Sequence, residues 1–197
     1  MFRLIFLALF FFAGVVLGQV LSAQASGTTG DELKKYLTEY FSLSDHTDFT
    51  AKTFLSALII YFRYPLLAFL LGFASVGVLL LPALSAAYGF FLSFSVCCFA
   101  AAFGENGVLL ALSVFGIRCL VTLPCYFMLA VPSFGTSASL AAYSLGRGQR
   151  VMPVIYGKDW WLRLCISSAL LLAGALTELF LSPYFLRLVL ARIFSMN

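Results

Sequence analysis

The sequence predicts an all-α protein, a polytopic membrane helix bundle with about five transmembrane helices and one external amphipathic helix. Composition is the first reason, because 62% of the residues are hydrophobic and only 10% are charged, whereas soluble domains carry about 25% charged residues. The second is that no charge occurs from Tyr64 to Gly104. As a helix this stretch would be about 60 Å long, twice the hydrocarbon thickness of a bilayer. The chain must therefore cross the membrane, turn and cross back.

The first predicted transmembrane helix occupies residues 1–21. Its apolar run, Leu4 to Val20, follows Arg3 without a further charge and has about the minimum length that spans a bilayer. Ala23-Gln24-Ala25 has the small-x-small form of a cleavage site, so removal of residues 1–25 as a signal peptide is an open alternative. Retention is favoured because the apolar run exceeds the ~7–15 residues of an ordinary signal peptide.

Residues 22–60 form the predicted extracytoplasmic segment. Within it, apolar side chains recur at helical spacing from about Asp31 to Phe41, while Glu32, Lys35 and Glu39 point away from them. Such a helix can bind a partner or lie on the membrane surface. The candidate partner-binding residues on its apolar face are Leu33, Tyr36, Leu37, Tyr40 and Phe41.

Residues 61–182 are predicted to form a four-helix membrane core. The aromatic and basic stretch from Tyr61 to Tyr64 is expected at the membrane interface, where such side chains are enriched. The first turn of the core is expected at Leu81-Pro82, since proline breaks the helix before it and suits the first position of the next. The helix after that turn is expected from about Ala83 to Phe103.

Small residues in this core are expected to serve helix packing or helix breaks. Gly89, Ser93 and Cys97 are spaced by four, which places them on one side of a helix and lets a neighbouring helix approach closely. The complete set of expected packing or break positions is Gly72, Gly77, Pro82, Gly89, Ser93 and Gly116.

The fourth span has two alternative placements. A helix from Gly107 to Val131 would place Arg118 near the middle of the membrane, at a cost of at least ~3 kcal/mol if the arginine faces lipid. A break at Gly116 would instead let Gly107 to Phe115 form a short re-entrant helix. Cys119 to Leu145 would then cross the membrane with Arg118 at its start.

The last span is expected from Leu162 to Leu181, opened by Trp160-Trp161, and residues 183–197 are expected as a basic interfacial tail. Positive charge in short loops favours the cytoplasmic side. The basic loop with Arg147 and Arg150 therefore predicts a cytoplasmic amino terminus and an extracytoplasmic segment 22–60.

Arg118 is the principal candidate functional residue, because an ionisable side chain within a membrane span needs a partner. The candidate partners are Glu105 and Glu178. A structural ion pair is favoured over transport, since the spans contain no series of carboxylates that could relay protons.

No other residues in the sequence indicate a catalytic, metal or cofactor site. The single histidine and five cysteines lack metal-ligand spacing, and both common nucleotide-binding glycine motifs are absent. The sequence predicts no catalytic site, cofactor or metal. The scattered basic residues predict contact with membrane lipids and no binding of nucleic acid.

Two glycine-containing stretches carry a resemblance to a known family. They are Leu70-Leu71-Gly72-Phe73-Ala74-Ser75-Val76-Gly77 and Tyr88-Gly89-Phe90-Phe91-Leu92-Ser93-Phe94, and Gly107 follows after a short polar turn. With the order of the elements, this pattern resembles the stage II sporulation protein M family. The sequence departs from the family at Ser93, usually a second glycine, and at Phe115 to Arg118, where a proline followed by polar residues is common.

The resemblance implies a non-enzymatic scaffold in the bacterial cell membrane. Such a protein would recruit or anchor peptidoglycan hydrolases at the septal membrane during sporulation engulfment, with the stage II sporulation proteins P and D as partners. A small membrane transporter or channel component that uses Arg118 is the alternative, because interrupted helices often bind substrates near the middle of the membrane.

Overall fold

The structure, a computed structural model, describes residues 2–25, 51–103, 105–144 and 157–194 of the 197-residue chain. Within these ranges the chain forms five helices and no strand, so the all-α prediction is confirmed. The helices are α1 (Phe2–Ala25), α2 (Ala51–Leu71), α3 (Gly77–Phe103), α4 (Glu105–Ser144) and α5 (Lys158–Phe194). The predicted amphipathic helix at residues 31–41 lies outside the described residues.

Four of these helices are long and apolar enough to cross a membrane. The spanning stretches are Phe2–Ala23, Gly77–Ala101, Arg118–Ser144 and Lys158–Glu178, and α2 adds the shorter apolar stretch Leu58–Leu71. Large apolar side chains such as Leu79 and Leu120 are more than 70% exposed, as expected for a surface that contacts lipid. The prediction of a polytopic membrane helix bundle with about five transmembrane helices is therefore confirmed as four candidate spans and one shorter apolar helix among the described residues.

The most extensive helix contact joins α1 to α3. Gly14 and Gly18 of α1 form a Gly-x-x-x-Gly pair, and a Cβ atom on Gly14 would overlap the backbone carbonyl of Ala86. A Cβ atom on Gly89, one of the predicted packing positions, would likewise overlap the carbonyl of Phe11. The two backbones therefore touch directly, which only residues without bulky side chains allow.

The contacts also give the directions of the helices. Gly14 lies against Ala86 and Gly18 against Phe90, so α1 and α3 are parallel. The pairs Ser85 with Tyr126 and Tyr88 with Thr122 run in opposite order, so α4 is antiparallel to α3. Tyr61 of α2 lies against Arg118 of α4 and Gly174 of α5. Further along α2, the ring centres of Phe69 and Trp160 are 4.1 Å apart, and Gly72 lies against Ser133 of α4. α2 is therefore parallel to α4 and antiparallel to α5.

The turn between α2 and α3 lies at Gly72–Val76, so the expected turn at Leu81-Pro82 is wrong. Gly77 has no room for a side chain, because a Cβ atom there would overlap the carbonyl of Leu71. Pro82 lies inside α3. A membrane helix tolerates proline because neighbouring groups compensate for the one missing hydrogen bond.

Helix α4 is continuous from Glu105 to Ser144, so the alternative with a break at Gly116 and a short re-entrant helix is wrong. A Cβ atom on Gly116 would meet only the side chain of Leu112, at 3.2 Å. Among the described residues, no other helix packs closely against Gly116. The spanning stretch Arg118–Ser144 still begins at Arg118, close to the second of the two expected placements.

The predicted last span falls inside α5, which continues to Phe194. Residues 183–194 of the expected interfacial tail are therefore an extension of the same helix and not a separate element. The turn Gly72–Val76 defines one end of the bundle, called the turn end below. The opposite end, where α4 and α5 carry Arg118 and Glu178, is called the ion-pair end.

Candidate functional site

Arg118 and Glu178 form a two-bonded ion pair at the ion-pair end. Nη2 of Arg118 donates to Oε1 of Glu178 at 2.5 Å, and Nε donates to Oε2 at 3.3 Å. The two side chains are only 22% and 12% exposed. Fork-like arginine and carboxylate geometry combines charge with two directed bonds, so α4 and α5 are held in one register. Of the two candidate partners, Glu178 is the one in contact, and the side chain of Glu105 lies outside the described part.

Tyr61 connects this pair to α2. The guanidinium carbon of Arg118 lies 5.7 Å from the centre of the Tyr61 ring, within the range of a cation–π contact. The Tyr61 hydroxyl donates to the backbone carbonyl of Gly174 at 3.2 Å. Tyr61 is completely buried, although its aromatic and basic surroundings in the sequence predicted an interfacial position. Gly174 makes this possible, since a Cβ atom there would crowd the Tyr61 ring at 3.1 Å.

A chain of hydroxyl groups joins α3 to the same part of α4. Thr122 donates to the carbonyl of Arg118 at 2.8 Å, and its oxygen lies 2.7 Å from the hydroxyl of Tyr88. Because the proton of Thr122 is already used, Tyr88 is the donor of the second bond. Ser85 and Tyr126 repeat this arrangement, with Ser85 donating to the carbonyl of Leu81 at 2.9 Å. Each tyrosine hydroxyl thus has an acceptor inside the bundle, as groups shielded from water require.

A cavity of about 130 Å³ lies between α2, α3 and α4 beside Arg118. Its wall includes the stacked rings of Tyr64 and Tyr88, whose centres are 4.4 Å apart. The cavity opens toward the lipid-facing surface, because the lining residues Ile60 and Phe91 are 46% and 54% exposed. The lining residues are Ile60, Tyr61, Tyr64, Pro65, Tyr88, Phe91, Leu92, Ser95, Arg118, Cys119 and Thr122.

The turn end has a different kind of polar contact. Thr136 of α4 donates to the carbonyl of Gly72 at 3.0 Å, and Ser137 donates to the carbonyl of Ala74 at 2.6 Å. The first bond satisfies the Gly72 carbonyl just beyond the end of α2, and the second adds to the bond that the Ala74 carbonyl accepts from the backbone N–H of Gly77. Gly72 and Gly77, both singled out in the sequence, bring the turn close to Ser133 and Ser137.

The tertiary structure brings together residues that the sequence could not connect. Arg118 and Glu178 were both predicted as members of one pair, whereas Tyr61, Tyr88 and Thr122 were not recognised as their surroundings. The Gly14-x-x-x-Gly18 spacing was an available signal for the contact between α1 and α3. The predicted partner-binding residues Leu33, Tyr36, Leu37, Tyr40 and Phe41 lie outside the described residues.

The described residues contain no group of three or more histidine, cysteine, aspartate or glutamate side chains that could hold a metal ion. The groups present at the site are a guanidinium, a carboxylate, several hydroxyls and the thiol of Cys119. These groups can bind, orient and hold charge at the edge of the bundle.

Sequence comparison identifies the family of this chain. The family model described as Stage II sporulation protein M matches residues 7–183, from the second turn of α1 far into α5. No curated protein and no solved structure matches the sequence significantly. The matched region contains the glycine contacts of α1 and α3 and both members of the Arg118–Glu178 pair. Because the match covers most of the chain, this multi-pass helical protein belongs to the stage II sporulation protein M family, a family of sporulation membrane proteins.

Proposed function

We propose that the protein is a non-enzymatic membrane scaffold that recruits or anchors peptidoglycan hydrolases at the septal membrane during sporulation engulfment. Family membership supports a role in sporulation at a membrane. The observation that favours a scaffold is the Arg118–Glu178 pair, in which the described charges of the bundle interior neutralise each other. Groups held in this way fix the arrangement of helices, which is what an anchoring protein requires.

The partner-binding part of the proposal concerns residues 26–50. This segment leaves α1 at Ala25 and enters α2 at Ala51, so both of its attachment points lie at the ion-pair end. The rigid contacts of α1 with α3 and of α2 with α5 fix those two points relative to each other. The proposed partners of its apolar face are the stage II sporulation proteins P and D.

The orientation of the scaffold is part of the same proposal. Arg3 lies against Gly135 of α4, and Lys158 begins α5, so both are at the turn end. The chain between Ser144 and Gly157 starts and finishes at this end and contains Arg147 and Arg150. Short basic loops favour the cytoplasm. The ion-pair end and residues 26–50 then face the outside, where peptidoglycan hydrolases act.

The test is affinity capture of the tagged full-length protein from cells in asymmetric division, with mass spectrometry of the captured proteins. The test variant replaces Tyr36, Leu37, Tyr40 and Phe41 by serine. The matched control replaces Glu32, Lys35 and Glu39, on the opposite face of the predicted helix, by serine. We expect the wild type and the control to retain a peptidoglycan hydrolase and the test variant to lose it. Equal retention by both variants, or no captured hydrolase with the wild type, would refute the scaffold.

Transport is the second candidate, and the cavity beside Arg118 favours it. The continuous path of α4 through Gly116 removes the interrupted helix that first motivated this alternative. A transporter should move an ion or solute across liposomes in a manner that the Arg118→Gln and Glu178→Gln double variant abolishes. Unchanged flux in that variant, or no flux above protein-free liposomes, would exclude a role of Arg118 in transport.

A further inference from the structure

We propose that the cavity beside Arg118 is a binding site for the phosphate group of an anionic membrane phospholipid, which enters from the bilayer between α2 and α3. The site goes beyond the scaffold role, because it concerns the lipid-facing side of the bundle and not the segment 26–50. Three observations carry it, namely the unused donors of Arg118, the position of Arg63 and the exposed apolar rim.

Arg118 has hydrogen-bond donors that its partner does not use. Glu178 accepts bonds from Nε and Nη2 only. Among the residues that the structure describes, no hydrogen bond from Nη1 to a protein acceptor is found. An N–H group that is shielded from water needs an acceptor. Because Arg118 lines the cavity, an anionic group in the cavity can accept a hydrogen bond from it.

Arg63 adds a second positive charge beside the cavity, although it is not itself a lining residue. Its guanidinium carbon lies 5.5 Å from the ring centre of Tyr64, which lines the cavity. Arg63 is exposed and lies within the apolar stretch Leu58–Leu71, and it has no ion-pair partner among the described residues. The two arginines and Glu178 together carry a net charge of one positive unit (2 − 1). A phosphodiester with one negative charge complements this balance.

The geometry of the site favours a lipid over a dissolved ion as the ligand. Helical side chains lean toward the amino-terminal end of their helix. Since α2 and α4 are parallel, Arg63 and Arg118 both lean toward the ion-pair end, as arginines do when they reach lipid headgroups. The exposed side chains of Ile60 and Phe91 at the rim offer an apolar path for the acyl chains. α2 and α3 contact each other only sparsely, which leaves this lateral opening.

The experiment measures lipid retention by the purified full-length protein with native mass spectrometry, after equilibration in micelles with phosphatidylglycerol or phosphatidylcholine. We expect the wild type to retain phosphatidylglycerol in preference to phosphatidylcholine. The Arg118→Gln and Glu178→Gln double variant should lose about tenfold in apparent affinity, as should Arg63→Gln, because each loses charge-assisted bonds to phosphate. Arg63→Gln changes an exposed side chain, so it still tests the site if the double variant does not fold.

Arg163→Gln is the matched control, since Arg163 is an exposed arginine of α5 near the turn end, and it should retain phosphatidylglycerol as the wild type does. Glycerol 3-phosphate, which has a phosphate without acyl chains, should not displace the lipid. Displacement by it would identify a site for soluble phosphate esters and overturn the proposal. Equal retention of both lipids, or equal losses in Arg163→Gln and Arg63→Gln, would also overturn it.

Discussion

Gly14 of α1 lies so close to Ala86 of α3 that a Cβ atom on Gly14 would overlap the backbone carbonyl of Ala86. The contact depends on the absence of a side chain and not on any attraction between particular groups. Close backbone approach of this kind increases dispersion contacts between membrane helices, where no hydrophobic effect drives association. The first helix of the chain is therefore an integral part of the bundle in this structure.

Gly14→Ala should destabilise the protein by about 1–3 kcal/mol, because overpacking forces α1 away from α3. The measurement is thermal unfolding of the purified protein in detergent. Gly116→Ala is the control, since a Cβ atom there meets only the Leu112 side chain. Alanine also has a helix propensity about 1 kcal/mol better than glycine, so the control should be neutral or slightly stabilising. Equal stability of Gly14→Ala and the wild type would contradict the contact.

Arg118→Gln and Glu178→Gln should each destabilise the protein by about 3 kcal/mol, because each leaves one largely buried charge without its partner. The double variant replaces both charges with neutral amides and should lose less than the sum of the two single losses. Unfolding measurements on all four proteins give the coupling energy. Additive losses would show that the two side chains do not stabilise the bundle as a pair.

Ser137→Ala should destabilise the protein by about 0.6 kcal/mol and by no more than about 1.7 kcal/mol, the average and the maximum found for side-chain hydrogen bonds in a membrane protein. Its hydroxyl donates to the carbonyl of Ala74 across the contact between the turn and α4. Ser139→Ala is the control, because the hydroxyl of Ser139 bonds to the carbonyl of Gly135 in its own helix. The same unfolding assay applies, and a larger loss in Ser139→Ala than in Ser137→Ala would refute the role of Ser137.

A cysteine at position 158 should react with a membrane-impermeant maleimide only after cell lysis, if the turn end faces the cytoplasm. A cysteine at position 44 should react in intact cells. Each replaces one residue, Lys158 or Ser44, in a variant whose five native cysteines are changed to alanine. Reactivity at position 158 in intact cells, with protection at position 44, would show the opposite orientation.

Much of the fold could be predicted because hydrophobicity is a local property. The apolar run Leu4 to Val20 lies inside α1, and the expected last span lies inside α5. The need of Arg118 for a partner also followed from its place in an apolar stretch. The choice between Glu105 and Glu178 could not be predicted. Arg118 and Glu178 are 60 positions apart, and only the antiparallel packing of α4 and α5 brings them together.

Proline and glycine were the least predictable positions, and the reason is physical. Pro82 and Gly116 have the intrinsic character of helix breakers, yet both lie within continuous helices. Inside a bundle, tertiary contacts and the absence of water favour unbroken helices, which satisfy their own backbone groups. The actual turn lies between Gly72 and Gly77, where the side chain of Ser133 and the backbone carbonyl of Leu71 leave no space for a Cβ atom.

The sequence by itself determined that this protein is a membrane helix bundle, approximately where its helices lie, and that Arg118 must be paired. These properties depend on the transfer of each segment from water to lipid, which composition alone controls. Only the tertiary structure decided that α1 packs on α3, that Glu178 holds Arg118 and that Tyr61 is buried beside them. Those contacts join residues that are far apart in the sequence. Their energies depend on how well two helix surfaces fit and on the directions of the hydrogen bonds between them, and neither can be predicted from one segment alone.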